Sequence, residues 1–79
     1  MPTDTTDATV PRDAGIVLGV LTDEPQVHWS AGELQRELEW PSERLQDALA
    51  ELQRDGLAHR GEAFTWPTRA AVRCRELLA

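Results

Sequence analysis

The chain is predicted to be mainly α-helical with one small β-hairpin: a three-helix core, a short hairpin and a C-terminal helix. Three observations predict this. Apolar residues recur at the helical period in four separate stretches. Ser30-Ala31-Gly32-Glu33 has the form of a capping box, and Pro41 parts the helix it opens from the next by only one or two residues. After Leu57 the helical period gives way to short runs flanking Gly61-Glu62, a dipeptide suited to a tight type II′ turn.

Size and composition bound the rest. With 79 residues, 41% of them hydrophobic, the chain has enough apolar surface for one core and not for two. Its one cysteine, Cys74, has no intrachain partner for a disulfide, which suits a reducing, intracellular setting. No apolar run approaches the roughly 18 residues a membrane span needs. The opening Met1-Pro2-Thr3-Asp4-Thr5-Thr6-Asp7 is acidic and polar, the reverse of a secretory signal. The expectation is a soluble cytoplasmic protein with no membrane association. All eight basic residues are arginine, and the net charge of −6 repels nucleic acid and anionic membranes at long range.

Residues 1–12 are rich in Thr, Asp and Pro without apolar periodicity, so they read as a flexible tail leading into a domain over 13–79. From Pro11 or Asp13 to about Asp23, Ile16, Val17, Val20 and Leu21 form one helical stripe with Ala14 at its edge, while Leu18 falls off it. Gly15 and Gly19 each lower the intrinsic helix preference by roughly 1 kcal/mol relative to Ala. Glu24-Pro25 ends this helix, and Gln26-Val27-His28 reads as a short sheet-edge strand. The second helix starts at the Ser30 cap, with Trp29 and Leu34 placed as a hydrophobic staple and Leu34 and Leu38 facing the core. Pro41 suits the first position of a third helix, in which Leu45, Ala48, Leu49 and Leu52 form the apolar stripe. Asp55-Gly56 supplies its C-terminal stop. Ala58-His59-Arg60 and Ala63-Phe64-Thr65-Trp66 are the hairpin strands. Pro67 and Thr68 open a last helix whose Ala70, Ala71, Cys74, Leu77 and Leu78 share one face.

Between about Ser30 and Arg60 the chain resembles the winged helix-turn-helix superfamily, broadly in the style of the MarR and ArsR regulators. The tight helix pair and the run Ala48-Leu49-Ala50-Glu51-Leu52-Gln53-Arg54-Asp55-Gly56-Leu57 carry the resemblance. In those families a recognition helix ends in a similar leucine, leucine, glycine, leucine pattern and passes into the wing. The resemblance implies a DNA-associated protein, a transcriptional regulator, that binds without a cofactor. Its DNA contacts would be Ser42, Arg44, Gln46 and Arg54, supported by Arg60, with Arg69 and Arg73 on the last helix as backbone candidates.

The third helix departs from that pattern in its charge. Glu43, Asp47 and Glu51 stand in one column at i, i+4 spacing, opposite the apolar stripe. Acids facing a groove lined with phosphates oppose the electrostatic attraction that dominates DNA affinity. The same column reads as an ordinary solvated face, or as a docking face for a basic protein partner. A protein-interaction module using Glu43, Asp47 and Glu51 is therefore the alternative function.

No catalytic constellation is evident. His28, His59 and Cys74 match no zinc or nucleophile spacing, and neither a glycine-rich phosphate loop nor a GxSxG motif is present. Cys74 falls on the apolar face of the last helix and is expected in the core. Trp29, Trp40 and Trp66 are expected to seal core edges. Leu18 and Val72, off the stripes of the first and last helices, are the candidates for a homodimer contact.

Overall fold

The computed structural model describes residues 4–78, with side chains from Val10 onward. Four helices, α1 (Asp4–Asp23), α2 (Ala31–Leu38), α3 (Ser42–Arg54) and α4 (Arg69–Leu78), surround a core, with strands β1 (Ala58–Arg60) and β2 (Thr65–Pro67) between α3 and α4. The strands pair antiparallel, Ala58 with Pro67, His59 with Trp66 and Arg60 with Thr65. The chain is thus mainly helical with one small sheet.

Helix α3 is the centre of the packing. Its predicted stripe, Leu45, Ala48, Leu49 and Leu52, is fully buried, and it meets Ala14, Val17 and Leu21 of α1, Leu34 of α2 and Ala58 of β1. Burying a leucine side chain of this kind contributes about 1.5–3 kcal/mol. Trp29, Trp40, Leu38 and Leu57 pack half-buried around the margin.

The second helix starts as its sequence dictates. The Ser30 hydroxyl accepts from the Glu33 amide at 3.1 Å, and the Glu33 carboxylate accepts from the Ser30 amide at 2.9 Å. Its end is less legible. Glu39 closes α2 in the left-handed region, at φ 58°, a conformation that costs a non-glycine residue energy. Three residues, Glu39, Trp40 and Pro41, then separate α2 from α3, more than the one or two expected. Pro41 caps α3 in extended geometry instead of occupying its first turn.

Several expectations are corrected. Helix α1 begins at Asp4, so the backbone is helical through most of the stretch read as a tail; residues 1–3 lie outside the described residues. Once later turns are anchored by Ala14, Val17 and Leu21, extending a helix carries no nucleation cost, and Pro11 removes only one ladder donor. Ile16 is 44% exposed, because the buried arc of α1 runs through Asp13, Ala14, Val17 and Leu21 and leaves it outside. The segment 26–28 is not a strand: pairing is confined to an isolated bridge in which Trp29 and Thr65 exchange two backbone bonds of 2.9 and 2.7 Å. The hairpin loop spans Gly61 to Phe64, closed by the Gly61 amide donating to the Phe64 carbonyl at 2.8 Å, so Ala63 and Phe64 belong to the loop. Pro67 ends β2, and Thr68 caps α4, its hydroxyl accepting from the Ala71 amide and donating to the Gly56 carbonyl. On α4 Ala71 is the buried residue; Cys74, Leu77 and Leu78 are exposed, with Arg75 as the link from the later turns to α1.

Two substitutions test the local logic. Ser30→Ala is expected to lower unfolding free energy by about 1 kcal/mol, read from urea titration. Gly56→Ala, at φ 74°, is expected to cost about 1 kcal/mol, although no atom crowds the new methyl.

Candidate interaction surface on the third helix

Helix α3 presents two kinds of polar residue: those engaged by the rest of the chain and those left to solvent. Arg44 is engaged. Its Nε and Nη2 donate to the two carboxylate oxygens of Asp13 at 2.8 and 2.9 Å, a forked pair between α3 and α1. The same guanidinium lies over the Trp40 ring, 4.0 Å from its centroid. Asp13 itself is buried. Hydrogen bonding from Arg44 holds its carboxyl below the usual 3.8, outweighing the desolvation that would raise it, with the nearby charges of Arg44 and Arg12 adding to the effect. The bond to Asp13 in turn raises Arg44 above its ordinary value.

The other candidate DNA contacts are mostly engaged as well. Arg60 donates to the Gln46 side-chain oxygen, tying β1 to the middle of α3. Arg54 pairs with Glu51 one turn back. Arg73 pairs with Glu76 at 3.4 Å on α4. Ser42 and Arg69 stay exposed, with no side-chain partner among the described residues. Arg75, also on α4, donates to the Thr22 hydroxyl at 2.9 Å and lies 3.9 Å from Asp23. Of the late arginines, Arg75 thus turns toward α1, Arg60 toward α3, and Arg73 stays within α4.

The acidic column divides. Glu51 is half-buried and neutralised by Arg54, whereas Glu43 and Asp47 are exposed and lack partners among the described residues. With Ser42, Ala50 and Gln53 they form an open face whose uncompensated charge is negative.

A row of rings on the sheet was not legible from sequence. Trp29 pairs with Thr65, which sets His28 beside Trp66, while the hairpin register sets His59 on its other side. His28 stacks on Trp66 with centroids 4.7 Å apart and planes 20° from parallel; His59 lies at 5.5 Å and 37°. Trp66 therefore packs against two imidazoles, not at a core edge, and it covers Gly61, where an added Cβ would come within 3.3 Å of the indole. Among the described residues no three His, Cys, Asp or Glu side chains converge to hold a metal ion, and no helix is long and apolar enough to cross a membrane.

No family profile, curated protein or solved structure matches the chain.

The Asp13 carboxyl sits below its unfolded value, so its pairing stabilises the folded chain fully above that value and is lost as pH falls through the folded one. Asp13→Asn is accordingly expected to be less stable than the native chain at neutral pH and to lose less stability on acidification. Urea midpoints between roughly pH 6 and pH 2 check this; parallel acid profiles would disprove it.

Proposed function

We propose that the chain is a winged-helix domain that works as a protein-interaction module, docking a basic partner on the acidic face of α3. The order of helix, bridge strand, helix pair, hairpin and final helix supports the winged-helix reading. The Trp29 bridge supplies the third, minimal strand beside the hairpin. One observation carries the functional reading: Arg44, Arg54, Arg60 and Arg73 are bound within the chain, while Glu43 and Asp47 face solvent unpaired among the described residues.

The electrostatics follow from that arrangement. A DNA-binding face gains affinity by bringing arginines to phosphates and releasing counterions. Here Arg44, Arg54, Arg60 and Arg73 would each first have to leave a carboxylate or amide, and Arg44 would leave a buried Asp13 uncompensated. A transcriptional regulator reading DNA through Ser42, Arg44, Gln46 and Arg54 is therefore the less favoured reading. A cationic protein surface meets no such cost. Residues at i, i+4 on one helix have Cβ atoms about 5–6 Å apart, a spacing that suits two lysines or arginines one helical turn apart on a partner. Exposed charges of this kind act mainly on association rate and partner choice, and salt weakens them. The assignment needs neither catalysis nor a cofactor, and its natural setting is the cytoplasm.

Two titrations separate the readings. The native chain is expected to bind an arginine-rich helical peptide in a salt-sensitive manner, and to leave mixed-sequence duplex DNA unbound even near 50 mM salt, where phosphate attraction is strong. The triple variant Glu43→Lys, Asp47→Lys, Glu51→Lys should lose the peptide by tenfold or more and gain measurable DNA affinity. Native binding to DNA, or peptide binding indifferent to the triple reversal, would overturn the proposal.

A further inference from the structure

We infer that the cleft between Trp29 and the outer side of α2 is a binding site for a free α-amino acid with an apolar side chain. The cleft holds about 330 Å³ and is lined by Trp29, Glu33, Arg36 and Glu37. Ordinary small-molecule sites run from roughly 300 to 1,000 Å³, so this one suits a ligand of small size. Positions three and four apart are neighbours on a helix, which is why Glu33, Arg36 and Glu37 share one side of α2. Two carboxylates, one guanidinium and one indole therefore border a single recess.

Two of the four lining residues are held in advance. Trp29 is fixed through its backbone by bonds of 2.9 and 2.7 Å with Thr65, and it packs on the core margin. Glu33 is fixed by the capping box: one carboxylate oxygen accepts from the Ser30 amide at 2.9 Å, and the other has no partner among the described residues. Groups held in place before binding lose less freedom when a ligand arrives.

The other two groups, and the indole itself, are unmatched within the chain. Arg44, Arg54, Arg60, Arg73 and Arg75 all engage side chains of their own chain. Arg36 is exposed without a side-chain partner among the described residues, although Glu33 lies one turn back, and Glu37 is in the same state. Trp29 Nε1 is buried and has no acceptor, the one buried side-chain polar atom among the described residues in that condition. Native proteins pair nearly all such atoms, so this N–H points to an acceptor from outside the chain.

A small zwitterion answers each of these groups with its complement. Its carboxylate takes the forked donors of Arg36 and accepts from the indole N–H as the ring tilts toward the cleft. Its ammonium lies with Glu33 and Glu37, and its apolar side chain lies along the indole. A simple cation would set a like charge against Arg36, and a simple anion would set one against two carboxylates. A peptide terminus carries one of the two charges, because the other α group is consumed in the amide bond. The free amino acid carries both on one carbon.

Titration of the full chain, followed by NMR at the assigned Trp29 indole N–H, tests the inference. Three probes are compared at constant pH and ionic strength: leucine, 3-methylbutylamine, which lacks the carboxylate, and 4-methylpentanoate, which lacks the ammonium. Leucine is expected to shift the indole signal saturably, with each analogue binding about tenfold more weakly or worse. Arg36→Gln should remove the advantage of leucine over the amine, and Glu37→Gln most of its advantage over the carboxylate. Both positions are exposed and outside the core, and retained helical circular dichroism checks that the variants fold. A leucine response that is absent, no stronger than that of either analogue, or unchanged in either folded variant would overturn the inference. None of the four lining residues belongs to α3, so amino-acid binding and peptide docking succeed or fail separately.

Discussion

The forked pair between Asp13 and Arg44 is the constraint around which the rest of the chain is arranged. A buried carboxylate is tolerable only if charge and hydrogen bonds reach it, and Arg44 supplies both with two of its donors. The pair fixes where along α3 the first helix rests, and hence which side chains of α1 face Leu45 and Leu49. Trp40 braces the guanidinium from the far side, so the turn between α2 and α3 is positioned by the same contact. The left-handed Glu39 is then a conformation that this turn must adopt for Trp40 to arrive there. One ion pair, added to the shared core, thus links α1, α3 and the turn before α3.

That use of arginine also decides the surface. A chain with eight arginines and fourteen acids has a net charge of −6, and its character depends on which acids remain unmatched. Asp13, Glu51 and Glu76 are matched by ion pairs, while Glu43 and Asp47 are not. The negative charge of the α3 face is therefore what internal pairing leaves over at Glu43 and Asp47. Weak surface pairs such as Arg73 with Glu76 contribute little to stability. Their larger effect is on what the surface presents to a partner.

What could be read from sequence divides along the reach of the interactions. The capping box, the α3 stripe and the stop at Gly56 depend on residues within a turn or two of each other, and spacing reveals them. Asp13 left a faint trace, a carboxylate one position before Ala14 and four before Val17, on the buried side of the stripe. Its partner lies 31 residues away, and no local pattern names it. The hairpin illustrates the same limit: Gly61-Glu62 marks a turn, but the loop closes at Phe64 because Thr65 is held by Trp29 from outside the hairpin. Cys74 shows a further one. An apolar stripe predicts a face, and whether anything covers that face depends on how far the neighbouring helix extends beside it. Of the acidic face, the column was plain from spacing, and so was the place of Arg54 three residues after Glu51 as its partner.

The Trp29–Thr65 bridge has a consequence for how the chain acquires its structure. Its two hydrogen bonds join a residue before the helix pair to one after it, and a bridge so small cannot persist without the helices it encloses. A two-stranded ribbon is marginal alone in water for the same reason. The ribbon is therefore not a separable folding unit: it depends on the helices that the bridge encloses. Opening at the ribbon releases Trp29 from the core margin, so native-state exchange at the Trp29 and Thr65 amides follows the opening of that margin.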